Sequence, residues 1–147
     1  MEIRFIKENE IEQLVELCVL HAAYEKADYV REGKSEKLKT ALFKETPDFY
    51  CMVAVENNRL LGYTSHMLQY STWDAQHYTY LDCIFLLEEA RGKRLGEKLM
   101  FAVMEEAKKI GAELIQWQTP DFNYDAIRFY KRIGASSKSK ERFFWIN

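Results

Sequence analysis

Residues 81–96, Leu-Asp-Cys-Ile-Phe-Leu-Leu-Glu-Glu-Ala-Arg-Gly-Lys-Arg-Leu-Gly, pass from an apolar, strand-like stretch through a basic glycine loop into an amphipathic helix. A strand that feeds a helix across so short a loop calls for a fold in which sheet and helix layers pack on each other. The helix start also exposes free backbone N–H groups and the positive end of the helix dipole, which together attract anions. Here Arg91, Lys93, Arg94 and Lys98 surround a single acid, Glu97. Cations at a helix N-terminus oppose the dipole, and a bound phosphate would offset that cost. A solvated basic turn is the plain alternative.

The rest of the chain reads as alternating elements. Residues 2–7 predict a strand, and Asn9 with Glu12 forms a capping box for a helix reaching Tyr24. Its apolar face is Ile11, Leu14, Val15, Cys18, Val19 and Ala22. Residues 28–34 are polar and looped. Ser35 caps a second helix to Lys44, ended by Pro47. Residues 49–56, 59–71 and 78–87 predict an antiparallel meander whose first turn is Asn57-Asn58.

Residues 94–110 are an amphipathic helix with Gly111 as its C-terminal stop. A strand over 113–119 follows, stopped by Pro120. Asn123 caps a helix to Arg132, ended by Gly134. Residues 143–146, Phe-Phe-Trp-Ile, predict a last strand buried on both faces. The order β-α-α-β-β-β-α-β-α-β is α+β: one mixed sheet with helices on both faces, within a single domain spanning residues 1–147.

Composition narrows the partners. A net charge of −2 provides no broad basic surface, so nucleic acid is not expected. No apolar run approaches the roughly 18–20 residues of a membrane span, and the N-terminus lacks a signal-peptide pattern. Cys18, Cys51 and Cys83 are odd in number and form no CxxC, which reads as reduced thiols in a cytoplasmic protein. His21, His66 and His77 lack metal-ligand spacing, so no metal is expected.

Three blocks in register point further: Tyr70-Ser71-Thr72-Trp73, then Tyr80-Leu81-Asp82 ahead of Arg91-Gly92-x-x-x-Gly96, then Asn123-x-x-Ala126-x-x-Phe129-Tyr130-x-x-x-Gly134-Ala135. Together they resemble the GCN5-related N-acetyltransferases, and within them the small diamine- and spermidine/spermine-acetyltransferase-like branch. The resemblance covers most of residues 50–135. It implies the acyl-CoA N-acyltransferase fold. It also implies an acetyl-CoA-dependent enzyme that acetylates the primary amine of a small molecule, polyamine- or amino-acid-like, by direct transfer in a ternary complex.

The same resemblance implies roles for residues. Arg91, Gly92, Lys93, Arg94, Leu95 and Gly96 would hold the CoA pyrophosphate, although relatives usually carry glycine where this chain has Arg94. Ile84, Phe85 and Leu86 would offer backbone N–H groups to the thioester, donors of the kind that stabilise an oxyanion. Asn123 would lie near the CoA arm. Tyr130 would be the general acid for the departing thiolate.

Asp82 would help deprotonate or orient the amine, in the place where relatives carry glutamate. Tyr24, Glu25, Trp73 and Asp74, with Asp28 and Tyr29 nearby, would meet a cationic amine through charge and aromatic faces. Cys83 reads as a buried thiol rather than a nucleophile. Relatives in this branch are commonly dimers, so a homodimer with the C-terminal strand at or beside its interface is expected. Two other readings stay open on sequence: a non-catalytic acyl-CoA sensor on the same fold, and an acetyltransferase for protein N-termini or lysines.

Overall fold

A computed structural model describes residues 1–147. Five strands form one sheet in the order β1-β2-β3-β4-β5: β1 (Glu2–Phe5), β2 (Tyr50–Glu56), β3 (Arg59–Ser71), β4 (Gln76–Leu86) and β5 (Ile115–Gln116). The first four pair antiparallel and β5 joins β4 in parallel, so the sheet is mixed. Four helices complete the α+β fold: α1 (Ile11–Tyr24), α2 (Lys34–Phe43), α3 (Leu95–Lys109) and α4 (Tyr124–Arg132).

β2 is buried from Cys51 to Val55 because both of its faces are covered. Val53 and Val55 pack with Ile11, Leu14 and Leu17 of α1 and Leu42 of α2. Ala54 and Met52 meet the other layer, where α3 supplies Leu95, Leu99, Met100 and Val103 and α4 adds Phe129. The Asn57-Asn58 turn carries φ of 51° and 62°, the left-handed pair that a tight hairpin needs.

Two irregularities shape the sheet. Leu61 is the extra residue where Ala54 pairs Gly62 and Val55 pairs Leu60. Asp82 is the extra residue where Ser65 pairs Cys83 and His66 pairs Leu81. A bulge bends its strand and sharpens the local twist. The β4–β5 ladder holds only Thr79 with Ile115 and Tyr80 with Gln116, and it ends just before that bulge. Beyond it, β4 leaves β5 and the sheet opens.

Several expectations are corrected. The strand over 113–119 shrinks to two residues because β4 turns away at Asp82. Residues 143–146 form no strand, and Phe143, Phe144, Trp145 and Ile146 are all exposed. A sixth strand needs a ladder to join, and two residues of β5 offer almost none. Asn9 caps nothing. Glu10 instead accepts the Lys7 N–H at 2.9 Å and a bidentate pair from Arg4 at 2.6 and 3.0 Å, closing a 3₁₀ turn before α1. α2 begins at Lys34 behind Gly33, whose φ of 77° turns the chain, and Ser35 is not its cap.

Candidate functional site

The loop between β4 and α3 alternates handedness: Gly92 has φ 75° and Arg94 has φ 60°. Arg94 therefore adopts the left-handed backbone that glycine takes most readily. Left-handed residues set in such a turn converge successive N–H groups into an anion-binding nest. No side chain caps α3, and its first intrahelical bond runs from the Lys98 N–H to the Arg94 carbonyl. The N–H groups of Leu95, Gly96 and Glu97 thus have no carbonyl one turn earlier within the helix. Gly96 keeps the floor open: a Cβ there would lie 3.2 Å from the Phe129 ring.

The opened stretch of β4 forms the wall beside this loop. The Leu87 N–H bonds the Leu61 carbonyl across the sheet, whereas the Leu86 carbonyl accepts Arg91 Nε at 3.1 Å. Strand alternation then turns the main-chain groups of Ile84 and Leu86 to the opening and those of Phe85 toward β3. Phe85 contributes its side chain instead, in the core beneath α1.

Around the opening the elements meet. The Tyr24 hydroxyl, at the end of α1, donates to Asn123 Oδ1 at 3.0 Å. That same oxygen accepts the Ala126 N–H and caps α4, while Asn123 Nδ2 donates to Thr119. Arg91 lies over two rings, 4.6 Å from the Tyr24 centroid and 5.5 Å from that of Phe85. Its guanidinium thus sits in the opening rather than over the 92–96 nest.

Tyr130, on α4, packs edge-on to Trp117 at 5.3 Å. Burial pushes its hydroxyl well above the usual tyrosine range, and the nearby Glu25 adds to this, followed by Tyr24 and Cys83. Burial likewise pushes the Cys83 thiol up to about 12, helped by Asp82, whose carboxylate lies 3.7 Å away. A thiol so reluctant to ionise is a poor nucleophile.

One opening thus brings together Tyr24, Glu25, Cys83, Arg91, Asn123 and Tyr130, with the main chain of Ile84 and Leu86 and the bulged Asp82 alongside. Lys93 and Arg94 have exposed side chains, and Leu95 is buried in the core. Trp73 and Asp74 lie elsewhere. They sit in the β3–β4 turn, with Asp74 bonded to Ser71 and Trp73 95% exposed, about 20 Å along β4 from Asp82.

His21 was not singled out by sequence reasoning, yet it stacks on Phe85 and pairs with Glu25. The legible signal was its i,i+4 spacing to Glu25 on a predicted helix. No group of three or more His, Cys, Asp or Glu is gathered closely enough to hold a metal ion.

The family model described as Acetyltransferase (GNAT) family matches residues 14–135. The chain belongs to that family. Thialysine N-epsilon-acetyltransferase of Bos taurus is 30% identical over 141 residues, covering 90% of this chain and 82% of the relative. Aminoalkylphosphonate N-acetyltransferase of Salmonella typhimurium is 30% identical over 135 residues, covering 84% and 88%.

Among solved structures, an aminoglycoside N-acetyltransferase, AAC(6′)-Iy, in complex with CoA superposes with a TM-score of 0.78. It shares 15% identity, and the match covers 99% of each chain. At that identity the likeness shows the fold alone. The acyl-CoA N-acyltransferase fold expected from sequence is therefore the observed one, and the chain is an N-acetyltransferase of the GNAT family. The non-catalytic sensor reading is not favoured.

Proposed function

We propose that this N-acetyltransferase moves the acetyl group of acetyl-CoA to the primary amine of a small, amino-acid-like molecule, by direct transfer within a ternary complex. One observation carries the reading: the C-terminal end of α1, bearing Tyr24 and Glu25, meets Tyr130 of α4 across the opened edge of β4. The names of the relatives, which specify thialysine and aminoalkylphosphonate, support an acceptor of this class.

The residues fit acetyl-CoA as co-substrate. The uncapped start of α3 with the left-handed Gly92 and Arg94 suits a pyrophosphate. The Ile84 and Leu86 main chain on the open edge suits an extended amide-bearing arm and the thioester carbonyl. When bound, acetyl-CoA supplies an activated acyl group with a thiolate leaving group. Arg91, at the mouth of the opening, would supply positive charge to the phosphates, and Asn123 would stand at the opposite lip.

Glu25 faces the incoming ammonium, and Tyr24 presents an aromatic face to it. A carboxylate near pKa ~4 is a weak base for an amine near ~10, a gap of about 8 kcal/mol. Asp82 at the bulge accordingly orients the amine, and the acceptor reacts through its neutral fraction, whose proton has gone to the buffered solvent. The freed nitrogen attacks the thioester carbon as the C–S bond breaks. The sulfur accepts a hydrogen bond from Tyr130, which burial keeps protonated. The nitrogen sheds two protons in all. The first goes to solvent as the ammonium becomes the free amine, and the second, lost as the amide forms, balances the one that turns the departing thiolate into a thiol. Direct transfer is favoured over a relay through Cys83 because that thiol stays neutral.

We further propose that residues 1–147 act as one domain and pair as a homodimer. The exposed apolar tail Phe143–Ile146 supports pairing. Three free thiols and the absence of any helix long and apolar enough to cross a membrane are in keeping with a cytoplasmic place.

The test is a panel of thialysine, ornithine, 2-aminoethylphosphonate, spermidine and a lysine-bearing peptide, followed by release of CoA thiol. Turnover with a small amine is expected. Turnover of the peptide alone would overturn the substrate class.

A further inference from the structure

Behind the acceptor side runs a chain of hydrogen bonds that the transfer chemistry above does not use. His21 is largely buried and engages both ring nitrogens. Nδ1 lies 2.8 Å from the Tyr63 hydroxyl of β3, and Nε2 pairs with the Glu25 carboxylate one helical turn on. Its ring stacks on Phe85, with centroids 5.1 Å apart and planes at 19°. Cys18, almost a turn earlier on α1, donates its thiol to the Tyr63 oxygen at 3.7 Å.

The chemistry of the partners fixes the direction of every bond. An ionised carboxylate only accepts, so Nε2 carries the hydrogen. Nδ1 of the neutral ring is then an acceptor, the Tyr63 hydroxyl donates to it, and the Tyr63 oxygen receives the Cys18 thiol. Burial acts in the same sense at each member. It holds the Tyr63 phenol and the Cys18 thiol above their ordinary values, protonated, and holds His21 below its own, neutral.

We propose that His21 is a positioning residue for acetyl transfer: the Cys18–Tyr63–His21 chain locks the imidazole as the Nε2–H tautomer, and that N–H aims the Glu25 carboxylate at the acceptor ammonium. The inference rests on the reading that Glu25 receives the amine.

It carries a pH signature. The groups facing His21 are Cys18 and Glu25 on its own helix, Tyr63 from β3, Asp82 from β4 and Arg91 from the loop before α3. Tyr130 of α4 stands beside Glu25. Glu25 and Asp82 favour protonation of His21, while burial and Arg91 oppose it. Once protonated, the ring places a second N–H on Nδ1, turns the Tyr63 hydroxyl away and neutralises Glu25. The acceptor is then held less tightly, so its KM rises as pH falls below the usual histidine range, while the KM for acetyl-CoA does not.

The experiment is steady-state kinetics with thialysine or ornithine, whichever turns over faster, and acetyl-CoA varied independently. His21→Phe keeps a ring on Phe85 and removes both nitrogens. It should raise the amine KM about tenfold, the scale of one lost hydrogen bond to a charge, leave the acetyl-CoA KM unchanged and erase the acid limb. His21→Gln, which still donates toward Glu25, should recover part of the loss. In a Glu25→Gln background His21→Phe should add less than about twofold, because its target is gone.

Unchanged amine KM in His21→Phe, with a raised one in Glu25→Gln, would overturn the positioning role and spare the reading beneath it. Unchanged amine KM in Glu25→Gln would overturn that reading. A substrate-free arm uses imidazole ¹⁵N shifts. The Nε2–H tautomer is expected, loosened by Tyr63→Phe, and an Nδ1–H tautomer in the unsubstituted protein would overturn the proposal.

Discussion

Arg94 holds a left-handed backbone with a full side chain, at the turn that starts α3. An L-residue pays on the order of 1–2 kcal/mol there, and glycine pays little. Arg94→Gly should therefore stabilise the fold by about 1 kcal/mol, read as a raised urea midpoint. If only its main chain serves the pyrophosphate, acetyl-CoA affinity should hold by calorimetry; a marked loss would assign the side chain a part.

Tyr130 offers the sharper kinetic test at this scale. Tyr130→Phe should lower kcat roughly 10²-fold with little change in acetyl-CoA binding, as loss of a donor to the leaving sulfur requires. His66 is buried, its Nδ1 has no partner, and burial lowers its affinity for a proton, as it does for His21. Both folded-state values lie below the unfolded 6.5, so the unfolded chain binds protons more readily. Stability is then full above pH 6.5 and declines as pH falls toward the folded values. Urea midpoints should drop between pH 7 and pH 5.5, and less steeply in His66→Leu.

Between elements, Gly62 is the tightest joint. A Cβ there would stand 2.4 Å from a Leu86 methyl and 2.7 Å from the Phe85 carbonyl oxygen. The second of these is main chain and cannot swing aside. Gly62→Ala should cost about 1–3 kcal/mol and displace the very stretch of β4 that borders the opening. Acetyl-CoA affinity should fall with stability, which distinguishes this position from a remote core site.

The elements themselves were mostly legible, because periodicity marks helices and β-branched runs mark strands. The Asp82 bulge was not, since it exists only in the register between β3 and β4. The last strand failed for a related reason. Apolar residues at 143–146 announce a need for cover, but whether a ladder is there to join depends on how far β5 runs. The site divides the same way. Its loop, Asn123 and Tyr130 could be located in sequence, whereas His21 was passed over because Tyr63, which gives it meaning, is 42 residues away.

For the whole molecule, that tail is the outstanding feature. Four large apolar side chains stand 73–96% exposed at one end of the chain. A lone molecule rarely leaves such a patch to water. If the proposed homodimer covers it, light scattering at micromolar protein should give a mass near twice 17.5 kDa, and removing residues 142–147 should shift the mass toward a single chain. An unshortened protein that scatters as a monomer and still acetylates would show that pairing is not needed.

The bulge at Asp82 has one more consequence. By parting β4 from β5 it leaves peptide groups, not side chains, along the edge proposed for the shared co-substrate. A peptide donor survives the exchange of the residue that bears it, so that half of the opening tolerates sequence drift. The facing half is composed of side chains on α1, where a single substitution rewrites charge and shape. Such a molecule has a conservative hand and an inventive one. A lineage built on it could acquire new acceptors by small changes at residues 21–25 without relearning how to hold its acyl donor.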